Sequence, residues 1–518
     1  MVNKYKLEEN EFVFGGCVND GIKMPYKDGF SRDLRVWHSG NQAISALLTS
    51  KGNYFYSKEP FKFEIKDGSL IIESDFEIKA SKGNEKTLEG AYIDLKNDFF
   101  TQDHKHPNLD MFRYPQYNTW IEFGRDVSQE KVKKYAEEII NNGYPSGVLM
   151  IDDCWSKDYG EWEFDRVKFP NPKELIDYLH NLNFKVMLWL CPFVSPDSPT
   201  YRELSLKGYL VKNKNGLDAI SYWWNGFSAV LDLTKPEVRE YFYNVLKKLQ
   251  NEYGIDGFKI DAGDPEYYSD DFVYSTGEQK SFQAHYLETI GERFDFNELR
   301  ASFNNSLKGV AQRLRDKNHS YDVDGINTLI PNSIAMGLCG YPYLCPDMIG
   351  GGMISDFEVS GFKLDQNLYV RYAEISSLLP MMQFSLLPFK VLDEENNKIV
   401  KKYVDLHLEY SSLIVELVKK ASIDGLPIIR SLLFNYGEDK YAKVMDEFML
   451  GEDILVAPIV SKESSRKVIL PKGKWQARDG VIYNEGEYQF EVERGDMPIF
   501  KRVKLWFIRK LIWLKNII

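Results

Sequence analysis

The stretch Tyr253-Gly-Ile-Asp-Gly-Phe-Lys-Ile-Asp-Ala-Gly-Asp264 decides the fold, because an apolar run ends there in an acidic turn spaced by glycines. Phe258 and Ile260 favour a strand, and the glycines let the backbone turn tightly after it. Asp261 therefore lies at the carboxyl end of a strand, where the chemistry of a parallel barrel is found. The pattern indicates either a nucleophile at Asp261 or an Asp that caps the following helix.

The sequence on both sides of this stretch predicts an α/β fold with a (β/α)8 TIM barrel. Short apolar runs such as Val148-Leu-Met-Ile151 and Val186-Met-Leu-Trp-Leu190 alternate with helical stretches, and this βα unit repeats over roughly 250 to 300 residues. Alternating runs before the barrel predict an N-terminal antiparallel β-sandwich, and strands that return after it predict a C-terminal β-sandwich. The predicted domains are 1–107 (β-sandwich), 108–424 (catalytic barrel), 425–503 (β domain) and 504–518 (basic amphipathic tail).

The composition excludes several classes of protein. The chain has 518 residues and a net charge of -12, so it offers no basic face to nucleic acid. Its five cysteines lack CxxC spacing and indicate neither a disulfide framework nor a zinc site. The N-terminus lacks the apolar core of a signal peptide, and the tail at 504–518 is too short and charged to span a bilayer. We expect a cytoplasmic protein without stable membrane insertion. The sequence is compatible with a homo-oligomer.

The segment Gly257-Phe-Lys-Ile-Asp-Ala-Gly-Asp264 also resembles the nucleophile motif of glycoside hydrolase family 31. Members of that family are retaining α-glycosidases built on a (β/α)8 barrel, which need no cofactor and no metal. The resemblance runs from about Trp120 to about Arg502 and includes, in family order, Val148-Leu-Met-Ile-Asp-Asp-Cys-Trp155, Phe169-Pro-Asn-Pro-Lys-Glu-Leu175, Leu426-Pro-Ile-Ile-Arg430 and Phe448-Met-Leu-Gly-Glu-Asp-Ile-Leu-Val-Ala-Pro458. It implies a retaining exo-α-glycosidase that binds an oligosaccharide or another α-glycoside.

Two carboxyl groups are needed for this chemistry, and the resemblance implies Asp261 as nucleophile and Asp316 as acid/base. Arg300-Ala-Ser-Phe303 and Asp316-Lys-Asn-His-Ser-Tyr321 match the family segments around the acid/base, although Arg315 stands where many members have Gly. Asp324 is the rival, and Asp322 and Asp347 are the other downstream candidates. In a retaining enzyme the two carboxyl groups should lie about 5 to 6 Å apart.

The resemblance also implies substrate-binding roles for a further set of residues, which are Trp120, Asp152, Asp153, Trp224, Lys259, Arg300 and Asp347. Asp152 would bind sugar hydroxyls with Asp153 supporting it, and Trp120 and Trp224 would wall the sugar site. Trp189 resembles a residue of the barrel core or of the floor of the sugar site. Lys259 would keep Asp261 ionised, and Arg300 would hold a hydroxyl and a carboxylate through its fork.

One departure from the family bears on the sugar. Gln383-Phe-Ser385 stands where α-glucosidases carry an Arg-Asn-His stretch whose His binds the sugar. This version resembles the branch that includes the myogenesis-regulating glycosidase, an α-galactosidase-type enzyme, and favours α-galactosides. The alternatives are an α-glucosidase or α-xylosidase, a Schiff-base enzyme using Lys259, and a carbohydrate-binding or chaperone-like homologue that has lost catalysis.

Overall fold

The computed structural model describes residues 1–36, 41–83 and 85–503. The predicted basic tail at 504–518 lies outside the described residues. Among the helices within these ranges, none combines the length and the apolar character that a bilayer span requires.

The N-terminal part of the chain folds into antiparallel sheets, as predicted. Its elements are β1 (Val2–Lys6), β2 (Val13–Cys17), a 3-10 helix (Val18–Lys23), β3 (Ser31–Asp33), β4 (Gln42–Thr49), β5 (Asn53–Tyr56), β6 (Lys62–Lys66), β7 (Ser69–Glu73), β8 (Lys79–Lys82) and α1 (Leu88–Phe99). One sheet has the order β1-β7-β6-β3, and in the other β4 lies between β5 and β2. Every residue of β4 is buried, which makes it the central strand of this region.

The middle of the chain alternates strands and helices in the predicted manner. Its elements are α2 (Asp110–Arg113), β9 (Gln116–Asn118), α3 (Trp120–Phe123), α4 (Gln129–Asn141), β10 (Val148–Ile151), α5 (Pro172–Asn181), β11 (Lys185–Leu190), β12 (Phe193–Val194), α6 (Pro199–Lys207), β13 (Lys212–Asn213), β14 (Ile220–Trp223), β15 (Gly226–Val230), α7 (Pro236–Tyr253), β16 (Gly257–Ile260), a 3-10 helix (Pro265–Tyr267), β17 (Phe272–Val273), α8 (Ser281–Gly291), β18 (Phe296–Leu299), β19 (Ser302–Phe303), β20 (Ala311–Arg313), a 3-10 helix (Ile326–Thr328), α9 (Leu329–Leu338), β21 (Leu344–Cys345), α10 (Ile354–Phe357), α11 (Gln366–Ser376), β22 (Gln383–Phe384), α12 (Pro388–Val391) and α13 (Glu394–Asp424).

Eight of these strands form a parallel sheet in the order β21-β20-β18-β16-β11-β10-β9-β22. A parallel bridge between Met348 and Gln383 joins the two ends, so the barrel is nearly closed. All four residues of β10 are buried, as expected for a parallel strand that is covered on both faces. Helix α4 begins at the N-cap Ser128 and buries one face, in the 3.6-residue rhythm of a helix packed on a sheet. The predicted TIM barrel is confirmed.

The C-terminal part is an antiparallel sheet domain. Its elements are β23 (Ile429–Arg430), α14 (Leu432–Tyr436), a 3-10 helix (Asp439–Tyr441), β24 (Phe448–Leu450), β25 (Ile454–Val456), β26 (Ser465–Ala477), β27 (Ile482–Glu491) and β28 (Ile499–Arg502). The strand order is β23-β24-β25-β28-β26-β27. The domain limits proposed from the sequence stay a prediction.

One pairing connects the N-terminal sheets directly to the barrel. Strand β19, which follows barrel strand β18, pairs in parallel with β4 through Ser302 opposite Gln42 and Phe303 opposite Ala43. The sheet therefore contacts the barrel close to the carboxyl end of β18.

Candidate active site

A cavity of about 620 Å³ opens at the carboxyl ends of the barrel strands. Its charged and aromatic lining consists of Asp152, Asp153, Asp261, Glu266, Asp316, Glu358, Arg125, Lys259, Arg300, Arg313, Arg315, Trp120, Trp189, Trp224 and Tyr267. Most of the residues predicted from the sequence therefore line the same cavity. Asp347 is the exception.

Asp261 lies at the end of β16 with its carboxylate held from several sides. Trp189 Nε1 donates a hydrogen bond to its Oδ2 at 2.8 Å, and the backbone N–H of Ala262 donates to Oδ1 at 3.0 Å. Burial opposes ionisation, but Arg300, Arg313 and Lys259 together lower the pKa of Asp261 to about 2. The carboxylate is thus ionised throughout the neutral range.

The backbone is strained beside the site carboxylates. Ala262, Cys154 and Asp347 have φ angles of 58°, 67° and 81°, in the left-handed region that non-glycine residues seldom adopt. Ala262 directly follows Asp261, and Cys154 directly follows Asp153. Such strain persists only where the surrounding structure enforces it, and it clusters at functional sites.

Arg313, at the end of β20, links more of the site carboxylates than any residue predicted from the sequence. Its Nη1 donates to Asp316 Oδ1 and, at 3.1 Å, to Asp347 Oδ1. Its Nη2 lies 3.8 Å from Asp261 Oδ1, and its Nε lies 3.4 Å from Glu298 Oε1. Sequence reasoning missed this residue. The one local signal was its place at a strand end, three residues before Asp316.

Asp316 lies on the cavity wall and shares its arginines with Asp261. Arg300 Nη1 is 3.8 Å from Asp316 Oδ2, and Arg300 Nε is 3.8 Å from Asp261 Oδ1. Burial raises the pKa of Asp316, but Arg313 and then Arg300 outweigh it, so the pKa is lowered. The predicted separation of the two carboxyl groups stays a prediction.

The rival acid/base candidates lie elsewhere. Asp322 and Asp324 are exposed in a turn, where Asp322 Oδ1 accepts hydrogen bonds from Ser320 Oγ and the backbone N–H of Asp324. Neither lines the cavity. Their contacts are those of a structural turn, which favours Asp316.

Asp152 and Lys259 form a buried ion pair at the base of the cavity. Lys259 Nζ is 2.7 Å from Asp152 Oδ2, which also accepts from Asn118 Nδ2 at 2.8 Å. Burial lowers the pKa of Lys259, but Asp152 outweighs this and the pKa is raised. A Schiff-base lysine needs a lowered pKa, so this geometry speaks against that alternative.

Asp153 has its own set of donors. Its Oδ2 accepts from Tyr159 Oη at 2.9 Å and from Asn225 Nδ2 at 3.0 Å. Burial, and then the charge of Asp152, raises the pKa of Asp153 to about 6, against the hydrogen bond from Tyr159. Asn225 also lines the cavity, so Asp153 fixes part of the wall formed by the β14–β15 hairpin.

Arg300 is held between a carboxylate and an indole. Its Nε lies 3.1 Å from Asp264 Oδ2, and its guanidinium carbon lies 4.8 Å from the centre of the Trp224 ring. Burial, partly offset by Arg300, raises the pKa of Asp264 to about 6. Asp264 is the last residue of the segment 253–264, but the sequence analysis assigned it no role. Trp224 is 38% exposed, so part of it remains free to contact a ligand.

Two further residues act from behind the cavity wall. Asp347 is fully buried and accepts hydrogen bonds from the backbone N–H groups of Lys317 and Gly352 at 2.7 and 3.0 Å. It thus supports Arg313 and the loops around Asp316, and the substrate-binding role that the resemblance implies for it stays a prediction. Gln383 is also fully buried, and its Nε2 donates to Gln116 and Glu298.

Ser385 is the last residue of the Gln383-Phe-Ser385 stretch, in which the chain departs from the α-glucosidases. It orients the segment that carries Trp120. Its Oγ accepts hydrogen bonds from the backbone N–H groups of Ile121 and Glu122 at 2.8 and 3.2 Å. Neither Gln383 nor Ser385 lines the cavity. The departure therefore reaches the cavity indirectly, through α3 and through the contact of Glu298 with Arg313.

Two family models match the chain. The glycosyl hydrolases family 31 TIM-barrel domain matches residues 111–410, and the family 31 C-terminal domain matches residues 425–504. Among curated proteins, the mouse myogenesis-regulating glycosidase is 33% identical over 75% of this chain and 55% of its own length. An alpha-xylosidase of Lactiplantibacillus pentosus is 26% identical over 76% of this chain and 54% of its own length. The chain thus spans about half the length of these relatives.

Solved structures share the fold at low identity. A GH31 dextranase of Flavobacterium johnsoniae complexed with glucose superposes with a TM-score of 0.84 and 19% identity, covering 97% of this chain and 66% of that one. A GH31 sulfoquinovosidase of E. rectale in complex with an aza-sugar inhibitor gives a TM-score of 0.82 and 18% identity, with 99% and 84% coverage. Both matches extend over the barrel and both flanking β regions.

Proposed function

Because the chain belongs to glycosyl hydrolase family 31, we propose that it is a retaining exo-α-glycosidase that hydrolyses terminal α-linked sugars. One observation carries the proposal: Asp261 and Asp316 line the same cavity and share both Arg300 and Arg313. Retaining glycosidases need two carboxyl groups that differ in role and act on the same anomeric centre.

In the first step Asp261 attacks the anomeric carbon while the bond to the leaving oxygen breaks. Its lowered pKa supplies the carboxylate, and Asp316 transfers its proton to the leaving oxygen so that the aglycone departs as an alcohol. The product is a glycosyl ester on Asp261. Trp189, which donates to Asp261 Oδ2, orients the nucleophile.

In the second step water attacks the same carbon and Asp316, now a carboxylate, accepts the proton. In the free protein Arg313 and Arg300 lower the pKa of Asp316 against burial, and the negative charge of Asp261 partly opposes them. Ester formation removes that charge, so the pKa of Asp316 falls further and the residue becomes a base when the mechanism needs one. Arg300 and Arg313 contact both carboxyl groups. They therefore stabilise Asp261 as the carboxylate of the first step and Asp316 as the carboxylate of the second.

The pKa shifts predict an acidic optimum for kcat/KM. Asp261 must be ionised, so activity is lost only as the pH falls through about 2. Asp316 must be protonated. Because its pKa is lowered, its protonated fraction in the free protein already declines at acidic pH and continues to decline as the pH rises. We expect kcat/KM for an α-glycoside with a poor leaving group to decrease steadily from about pH 5 to pH 8. An increase over that range would contradict the assigned protonation states.

We also propose that the sugar is galactose rather than glucose. Gln383 and Ser385 lie outside the cavity lining, so the 4-hydroxyl of the sugar must be read by residues such as Trp120, Asp152 and Trp224. A site built to hydrogen-bond a hydroxyl rejects the epimer, because its buried polar partners are then left unpaired. An α-glucosidase or α-xylosidase is the second candidate, and the L. pentosus relative favours the α-xylosidase.

A panel of 4-nitrophenyl α-glycosides of galactose, glucose and xylose tests the proposed activity and the sugar together. We expect the highest kcat/KM for the α-galactoside. The matching β-galactoside serves as the control and should remain intact. A preference for the α-glucoside would overturn the choice of sugar while keeping the enzyme class. Inertness toward every α-glycoside would instead support the non-catalytic homologue.

The proposed location is the cytoplasm. All five cysteines are free, and four of them are buried among core residues. Free thiols are typical of proteins that stay in reducing compartments. The substrate would accordingly be a small α-glycoside or oligosaccharide available there.

A further inference from the structure

A side chain of the N-terminal sheet reaches the two arginines of the candidate active site. Gln42, in β4, is 1% exposed. Its Nε2 donates hydrogen bonds to the backbone carbonyls of Arg300 and Arg313, each at 2.7 Å. One amide group thus joins two residues that are 258 and 271 positions away in the sequence.

The two carbonyls lie where the barrel ladder ends. Strands β18 and β20 pair through Glu298 with Ala311 and Leu299 with Gln312. Arg300 directly follows β18 and Arg313 ends β20, so each lies one residue past the last pair between these two strands. Buried carbonyls need a donor, and the two N–H bonds of the Gln42 amide supply one to each.

We propose that Gln42 is a positioning residue, which sets the separation of Arg300 and Arg313 and through them the placement and ionisation of Asp261 and Asp316. The proposal rests on the proposed function, because it deepens the account of the same site. Gln42 does not line the cavity, so it acts through the arginine backbone. The N-terminal sheet is then part of the catalytic machinery rather than an appended domain.

The consequence is electrostatic as well as geometric. Arg300 and Arg313 are the two largest influences that lower the pKa of Asp261 against burial. Without Gln42 the Arg300 carbonyl loses this donor, and the Arg313 carbonyl keeps a longer contact of 3.4 Å with Asn41 Nδ2. The strand ends then separate and both guanidinium groups move relative to Asp261. Its pKa should then rise, and a displacement of about 1 Å in a catalytic array can cost about 10²-fold in rate.

Two variants of Gln42 separate positioning from folding. Gln42→Met keeps the length of the side chain and removes both donors, and Gln42→Glu keeps its shape while facing the carbonyls with acceptors. We expect kcat to fall by about 10²-fold in both, and the acidic limb of the kcat/KM profile to move to higher pH. Ser45→Ala is the matched control, since it removes a 3.3 Å contact with Asn304 at the same sheet–barrel junction and should leave the pH profile unchanged.

A crystal structure of Gln42→Met provides a readout that does not depend on turnover. We expect Arg300 and Arg313 to shift relative to Asp261, with the barrel otherwise preserved. Unmoved arginines, or a variant with the wild-type acidic limb, would overturn the positioning role. If the wild-type protein hydrolyses none of the α-glycosides, the proposed function fails, whereas the arginine shift still decides whether Gln42 positions the site.

Discussion

Replacing Asp261 by Asn is expected to lower kcat by roughly 10⁴- to 10⁶-fold, the loss seen when a nucleophile is removed from an enzyme that works through a covalent intermediate. The amide cannot form the glycosyl ester. The fold should survive, because Asn has the same shape and Asp264, Asp316 and Glu298 still balance the arginines. The measurement is kcat on the preferred 4-nitrophenyl α-glycoside, with the melting temperature as the check on folding.

The matched control is Asp324→Asn, which makes the same chemical change at an exposed position outside the cavity. It should retain wild-type turnover. Near-normal hydrolysis by a well-folded Asp261→Asn protein would remove the nucleophile assignment. The proposed mechanism would then have no covalent step.

The barrel could be predicted because its signals are local. Apolar runs of strand length recur between amphipathic helices, and each parallel strand is buried on both faces, so the hydrophobic pattern alone indicates the layers. Asp152, Asp261 and Arg300 follow directly on β10, β16 and β18. Their convergence follows from the topology, since the carboxyl ends of parallel strands meet at one edge.

The rest of the site depends on contacts between distant segments. Apart from its place at a strand end, Arg313 has no local feature that separates it from other arginines. It nevertheless contacts Asp316 and Asp347 and lies 3.4 to 3.8 Å from Glu298 and Asp261. Gln42 reaches the site only because β4 pairs with β19. Such roles arise from three-dimensional neighbours, which hydrophobic periodicity cannot report.

Asp347 shows that a match to a family motif does not by itself establish the role of a residue. The motif placed it near the site, but its carboxylate is fully buried and receives two backbone N–H groups in addition to Arg313. Burial, and then the charge of Asp316, raises its pKa to about 7. Its position is therefore that of a support for Arg313, and whether it also affects substrate binding stays a prediction.

The second large effect is expected at Asp316. In Asp316→Ala, the kcat/KM for an α-glycoside with a poor leaving group should fall by roughly 10²- to 10⁴-fold, because no group protonates the leaving oxygen. A 4-nitrophenyl substrate, whose leaving group needs little protonation, should lose much less in the first step. The second step would then limit the rate, since no base activates water, and the glycosyl ester on Asp261 should accumulate.

Azide distinguishes Asp316 from Asp324, because it attacks the glycosyl ester without needing deprotonation. Added azide should restore turnover of the 4-nitrophenyl substrate by Asp316→Ala and yield an α-glycosyl azide, the stereochemistry of two successive displacements. Asp324→Ala, altered at an exposed turn outside the cavity, should behave as the wild-type protein and form no azide adduct. Rescue of Asp324→Ala with an unaffected Asp316→Ala would show that the acid/base lies on the other carboxylate. A β-glycosyl azide from Asp316→Ala would mean that azide enters from the opposite face by a single displacement, and that Asp261 never carries the sugar.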